Sequence, residues 1–393
     1  MNLLRLLLFL PGITFSLFSA EIFPYALLYS FVMYIKIKKI FIDKLSIFIL
    51  VLLISSLFSL NLNFKLHDEI LRSLVAYLNV IVIFQLIINS EKEEIKKIIS
   101  MAKISYLLLL TIAILQVLNL LWPLDPIFSF LIPRFSSTFL DYSRGASLLS
   151  SEPSRASLEF IFLTLLMSRI HKLSRIELYN NLIYFALIFA MNLFVFKSLD
   201  GFFLSVISFI IYFRHKFSYL YFLILFSLLS IVFNERIEAL ALQIILENEN
   251  FMQVVSSFSG FRISSVFASF TYGISHLFGS GVGNWQISSL AALNSSGIKP
   301  EDLQYFQYCC AGNFRSLRPT SFIANLMLDI GLLGSIFFLL SLLSTSVKFI
   351  KEKVQFNFFL FFVITLLILS SVGDPIPWIC VAIVLKYKKP LLN

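Results

Sequence analysis

Charge is scarce in this chain. Of its 393 residues, 13% are charged and 59% are hydrophobic. A soluble domain carries about 25% charged and about 45–50% apolar residues, so too little charge is present to clothe a water-facing surface. Soluble enzyme folds are largely excluded. Cysteine is nearly missing as well: Cys309 and Cys310 are adjacent and Cys380 stands far from them, which leaves neither a zinc cage nor a disulfide framework. The four histidines, His67, His171, His215 and His276, are scattered, which argues against a His-rich metal site. No repeat of fixed period and no low-complexity linker interrupts the chain. The one surplus is positive, 31 Lys+Arg against 22 Asp+Glu. Because these residues lie between apolar blocks, they point to membrane topology and not to nucleic acid.

What is present is a succession of apolar blocks. A helix needs about 20 such residues to cross a bilayer, fewer where its flanks snorkel. That rule predicts about twelve spans, near 4–20, 22–35, 45–60, 70–89, 104–122, 157–170, 182–197, 199–213, 218–234, 320–346, 356–372 and 375–387. The first two and the last two are separated only by Glu21 and Pro24, and by Gly373-Asp374-Pro375, so either pair also reads as one bent or re-entrant element. The expected fold is an all-α polytopic membrane protein, 1–393 forming a single integral membrane domain. Sorting Lys and Arg to alternate sides places twenty of the 31 on one face, which the positive-inside rule makes cytoplasmic. Both termini are then expected in the cytoplasm, with the Met1-Asn2-Leu3-Leu4-Arg5 start read as an uncleaved first helix.

Two outward, periplasmic loops are long, 123–156 and 235–319. Loops beyond about 15 residues are usually functional or disordered. The second contains an amphipathic stretch, Ile237 to Val255, expected to lie along the membrane surface. The outward face carries an unusual kind of charge: Arg72, Arg134, Arg144, Arg155, Arg236, Arg262, Arg315 and Arg318. Inward positions are mostly lysine. The guanidinium fork suits bidentate binding of phosphate, so arginine where positive charge is least expected suggests an anionic ligand, against the plainer reading of loop ion pairs or headgroup anchors.

Two of these arginines share a spacing: Arg134 precedes Gly145, and Arg262 precedes Gly273, by the same interval. Gly279-Ser280-Gly281-Val282-Gly283-Asn284-Trp285 follows the second copy. Glycine lets backbone N–H groups approach an anion, so Gly145, Gly273, Gly281 and Gly283 are candidate binding positions, the alternative being a tight turn. In Ser151-Glu152-Pro153-Ser154-Arg155, Pro153 and Glu152 suit a helix start, and Glu152 is the best-placed carboxylate for proton abstraction. Asp200, next to Lys197 and Ser198, reads most simply as part of a local ion pair. Asp329 lies inside a span near Gly331 and Gly334, which are candidates for small-residue helix packing.

Ser259-Gly260-Phe261-Arg262, the His276 to Trp285 segment, and Ser321 to Gly334 ending Asp329-Ile330-Gly331-Leu332-Leu333-Gly334 together resemble the Wzy-type O-antigen polymerases and the related O-antigen ligases. The Ser198-Leu199-Asp200-Gly201 turn and the Glu152 to Arg155 element support the likeness. The resemblance implies a GT-C-like glycosyltransferase bundle in the bacterial inner membrane. It would act on a polyprenyl-pyrophosphate-linked oligosaccharide, with membrane lipid around it, a chain-length regulator as a candidate partner, and no cofactor or metal. It implies pyrophosphate binding by Arg262 and Arg134, assisted by Arg144 and Arg155, with Arg315 and Arg318 as further substrate contacts. Ligases carry a His-Asn pair where this chain has Thr320-Ser321, so a histidine base does not carry over and Glu152 stands as the candidate base. A ligase is the alternative. A lipid-linked oligosaccharide flippase is a second, disfavoured because the charges gather at one membrane face and no inverted halves match.

Overall fold

A computed structural model describes residues 1–14, 23–38, 42–62, 67–132, 145–171, 177–213, 261–316 and 318–387. Among them the structure is helical throughout, without a strand. The helices are α1 (Asn2–Leu7), α2 (Pro24–Ile37), α3 (Lys44–Leu62), α4 (His67–Asn89), α5 (Lys92–Val117), α6 (Asp125–Leu131), α7 (Pro153–Ile170), α8 (Glu177–Ala190, running into a π turn at Met191–Phe196), α9 (Leu199–Phe213), α10 (Phe261–Ser275), α11 (Trp285–Ser295), α12 (Gln304–Cys310), α13 (Phe322–Val347), α14 (Lys353–Ile368) and α15 (Ile376–Lys386).

Four of these, α3, α4, α5 and α13, are long and apolar enough to cross a membrane. At 1.5 Å per residue, the 26 residues of α5 extend about 39 Å, more than the roughly 30 Å of a hydrocarbon core. Five shorter apolar helices accompany them. The block expected at 218–234, the amphipathic stretch 237–255 and Arg236 lie outside the described residues. Part of the second long loop is itself helical: α10, α11 and α12 fall within 235–319, and α10 packs along α13.

The outer faces of several helices carry large exposed apolar side chains, among them Phe31 on α2, Phe58 on α3, Leu107 on α5 and Leu340 on α13. In water such faces would be costly, whereas lipid is as apolar as they are. The centre is the opposite case. In α15 every residue from Ile376 to Leu385 is buried, enclosed by α4, α7 and α14. A helix apolar on all sides must be surrounded by protein or lipid, and its 11 residues reach only about 16 Å, too short to span alone. Trp378 anchors it: its ring meets Phe84, Phe322, Phe338 and Phe362 with centroids 4.9 to 6.1 Å apart, edge-to-face and tilted contacts that each add about 0.5–1.5 kcal/mol. The short helix after Gly373 thus fills the bundle's interior, held by aromatic packing.

Ion pairs gather at the two ends of the bundle. At one end Arg5 of α1 grips Glu94 of α5, its Nε and Nη2 donating to the two carboxylate oxygens at 2.6 and 2.9 Å, and Arg169 at the end of α7 pairs with Glu352 before α14. At the other end, where α7 begins, Arg262 pairs with Glu152 and Asp200. The 18 residues of α7 set these layers roughly 27 Å apart. Each of these pairs joins residues that the charge pattern assigns to the same side.

Candidate functional site

Three helices begin at one place. Pro153 opens α7 with its φ already suited to a first turn, and Glu152 stands at the N-cap in extended conformation. Its carboxylate makes no cap bond to its own helix. It accepts instead from Arg262 Nη2 at 2.9 Å, from the first turn of α10. The other arm of that guanidinium, Nη1, donates to Asp200 in the first turn of α9. Helix N-termini carry about half a positive charge each, so both carboxylates sit where the backbone favours anions, and the arginine completes the arrangement. All three side chains are about a third exposed, at 30 to 35%, so water screens the pairs and neither holds the arginine irrevocably.

Neighbouring contacts fix this geometry. Asn192 of the π turn donates from Nδ2 to Ser205 Oγ at 2.9 Å, and Ser157 Oγ donates to Asn192 Oδ1, tying α7, α8 and α9 together. Gly201 sits against the same pair: a Cβ there would stand 1.8 Å from Ser157 Oγ. Only a bare backbone brings Asp200 this close to α7. Arg155 donates from Nη1 to Ser151 Oγ at 3.0 Å and lies over the Phe23 ring, 5.0 Å from its centroid, an arrangement that favours a cation on an aromatic face.

A second polar cluster is built around Asp329 in α13. Tyr77 Oη donates to Asp329 Oδ2 at 2.7 Å and the Gly283 N–H to Oδ1 at 3.1 Å. The Ser280 and Gly281 N–H groups donate to the carbonyls of Leu328 and Asp329, each at 2.8 Å. The N–H donors of Ser280, Gly281 and Gly283 are thus engaged with α13. Arg318 donates from Nε to Asn325 Oδ1 at 2.8 Å and lies 5.8 Å from the Tyr77 ring centroid, so it belongs here and not with Arg262. Beside the loop, a cleft of about 540 Å³ opens between α3 and α13, lined by Ile54, Phe58, Phe278, Leu333 and Phe337 with the Ser55 and Ser59 hydroxyls. It lies past the far end of α10, whose 15 residues extend about 22 Å from the Arg262 end.

The structure brings Arg262 and Glu152 together, while Arg155, in the first turn of α7, contacts Ser151 and the Phe23 ring. Arg134 and Arg144 lie outside the described residues. Arg315 is exposed, and no described contact joins it to Arg262. Gly145 is pressed beneath the π turn, where a Cβ would meet the Phe196 carbonyl at 1.8 Å, and Gly273 packs on Met327 of α13. Asp200 has a partner that its sequence reading did not foresee: Arg262, from 62 residues away. Sequence reasoning missed Tyr77 and Asn192, whose polar groups inside apolar spans were the available signal. Cys309 and Cys310 are bonded to each other. His276 stacks on Tyr272 at 3.9 Å, its Nδ1 3.0 Å from the Tyr272 carbonyl oxygen, a local packing role.

Ser321, which stands where ligases have the second residue of their pair, is fully buried and caps α13. Its Oγ accepts from the Ala324 N–H at 3.1 Å and donates to the Leu367 carbonyl at 2.8 Å. Ser321→Ala is therefore expected to cost about 1 kcal/mol of stability, as lost N-caps do, readable as a lower melting temperature in detergent with chain level and helicity retained. An unchanged melting temperature would contradict the capping role. No protein-family model, curated protein or solved structure matches this chain.

Proposed function

We propose that this chain is a Wzy-type polymerase of the bacterial inner membrane, a GT-C-like bundle of about twelve spans with both termini in the cytoplasm. It would transfer a growing glycan from a polyprenyl-pyrophosphate carrier onto a lipid-linked repeat unit. One observation carries the reading. Arg262 and Glu152, singled out separately as anion-binding and proton-accepting groups, are hydrogen-bonded across 110 residues of sequence where three helices begin. The matching of ion pairs to one side or the other of the charge pattern supports the sidedness, and the apolar cleft beside α3 suits a long prenyl chain.

The chemistry follows from the triad. A donor pyrophosphate displaces the carboxylates from Arg262, whose fork then stabilises the negative charge that develops as the sugar–pyrophosphate bond breaks. Glu152, released from its ion pair, orients the acceptor hydroxyl and takes its proton as that oxygen bonds to the anomeric carbon. The polyprenyl pyrophosphate leaves. Asp200 remains to balance the arginine between turnovers.

The test is reconstitution of purified protein with a defined lipid-linked repeat unit, read as a ladder of chain lengths. A ladder is expected. In a deletion strain, single repeat units should still reach the lipid anchor while longer chains disappear. Full-length polymer accumulating on the carrier, with none on the anchor, would make the protein a ligase, and movement of substrate across vesicles without chain growth would make it a transporter.

A further inference from the structure

Two turns into α7, inside the bundle, two carboxylates are buried that the reaction above does not use. Glu159 is 3% exposed and Asp374, in the turn between α14 and α15, is 0% exposed. Helices α7 and α15 pack against each other, Asp374 lies within electrostatic reach of Glu159, and Arg155 lies within reach of both. Each carboxylate has one oxygen satisfied: Ser150 Oγ donates to Glu159 Oε2 at 2.5 Å, and the Ile376 N–H to Asp374 Oδ1 at 3.0 Å. The remaining oxygens, Glu159 Oε1 and Asp374 Oδ2, are buried with no hydrogen-bond partner among the described residues. The same holds for the hydroxyls of Ser370 and Ser371, in the turn that carries Asp374.

Ionised carboxylates buried without a partner are among the costliest arrangements a protein can hold. Among the described residues, Arg155 supplies one positive charge for two negative ones. One further unit of positive charge balances the cluster, and the unsatisfied groups are all oxygens, which suit a hard cation. A divalent ion would overshoot the balance. We propose that Glu159 and Asp374, with the Ser370 and Ser371 hydroxyls, form an internal sodium site that ties α7 to the turn before α15. The site is independent of the polymerase reading, since it would hold the bundle together whatever the outer cluster binds. A proton shared between the carboxylates is the rival means of balance.

The experiment uses the full chain purified into nanodiscs, with melting followed as sodium chloride replaces choline chloride at constant ionic strength and neutral pH. Radiolabelled sodium is measured by equilibrium dialysis in parallel. A saturable rise in melting temperature with sodium is expected, because a ligand bound only to the folded state stabilises it. Glu159→Gln and Asp374→Asn should each weaken sodium retention by about tenfold or more, while both variants still melt cooperatively in choline. Should either variant fail to fold, dialysis of the unaltered chain decides. Identical melting in sodium and choline with no retained label would overturn the proposal in favour of the shared proton, as would full retention of label by both variants.

Discussion

Arg262→Ala is expected to stop chain growth while the protein still reaches the membrane at its ordinary level. Removing one preorganised group that stabilises developing negative charge lowers rates by about 10²–10³-fold. Arg262 stands at the common origin of α7, α9 and α10, where it holds two carboxylates at once. Arg262→Lys should recover little, because a point charge cannot serve two partners as a planar fork does. The substitution also removes the cation that Glu152 and Asp200 share and raises the repulsion between them, so a structural defect must be separated from a chemical one. Arg262→Gln combined with Asp200→Asn removes that repulsion. If the triad only ties three helices together, the double variant should grow chains again. If the arginine binds pyrophosphate, the double variant should regain the normal melting temperature and still give no ladder. Near-normal ladders from Arg262→Ala would remove the pyrophosphate assignment outright.

Gly331→Ala is expected to be strongly destabilising. At Gly331, φ is 67° and ψ is −167°, a conformation essentially confined to glycine, and it interrupts α13 two residues after Asp329. A Cβ there would stand 2.3 Å from the His276 carbonyl oxygen and 2.4 Å from the Gly279 nitrogen. The strained backbone alone is worth about 1–3 kcal/mol, and the overlap is with main chain that has no rotamer to change. Gly279 approaches from the other side, where its own Cβ would meet the Gly331 nitrogen at 2.5 Å. The measurement is monodispersity and melting temperature in detergent, beside Gly297→Ala. At Gly297 φ is 74° as well, but a Cβ there would meet nothing within 4 Å, so that substitution should be milder. Equal behaviour of the two variants would mean that the break in α13 is not required.

Much about these sites was legible beforehand, and the misses have a common character. The start of α7 could be read from Glu152-Pro153 because helix initiation depends on φ and on local charge, properties of adjacent residues. The sequence displayed for Asp200 only the lysine of its own turn, whereas the pairing with Arg262 requires the first turns of α9 and α10 to meet. The glycine-rich loop was recognisable as a place of close approach. That its N–H groups meet Asp329 and the α13 backbone follows from α10 lying along α13, which no spacing encodes.

The sequence by itself determined the apolar, helical character of this protein and the positions where most of the described helices begin. These follow from hydrophobicity, charge and local backbone preference, which each act over a turn or a span. Only the tertiary structure decided that α15 fills the interior instead of facing lipid, that α13 breaks at Gly331, and that Glu152, Asp200 and Arg262 meet although the chain separates Glu152 from Arg262 by 110 residues. Apolar composition states that a segment must avoid water. Whether it does so against lipid or against other helices, and which polar groups are thereby left to find one another, depends on side-chain packing between segments far apart in the chain.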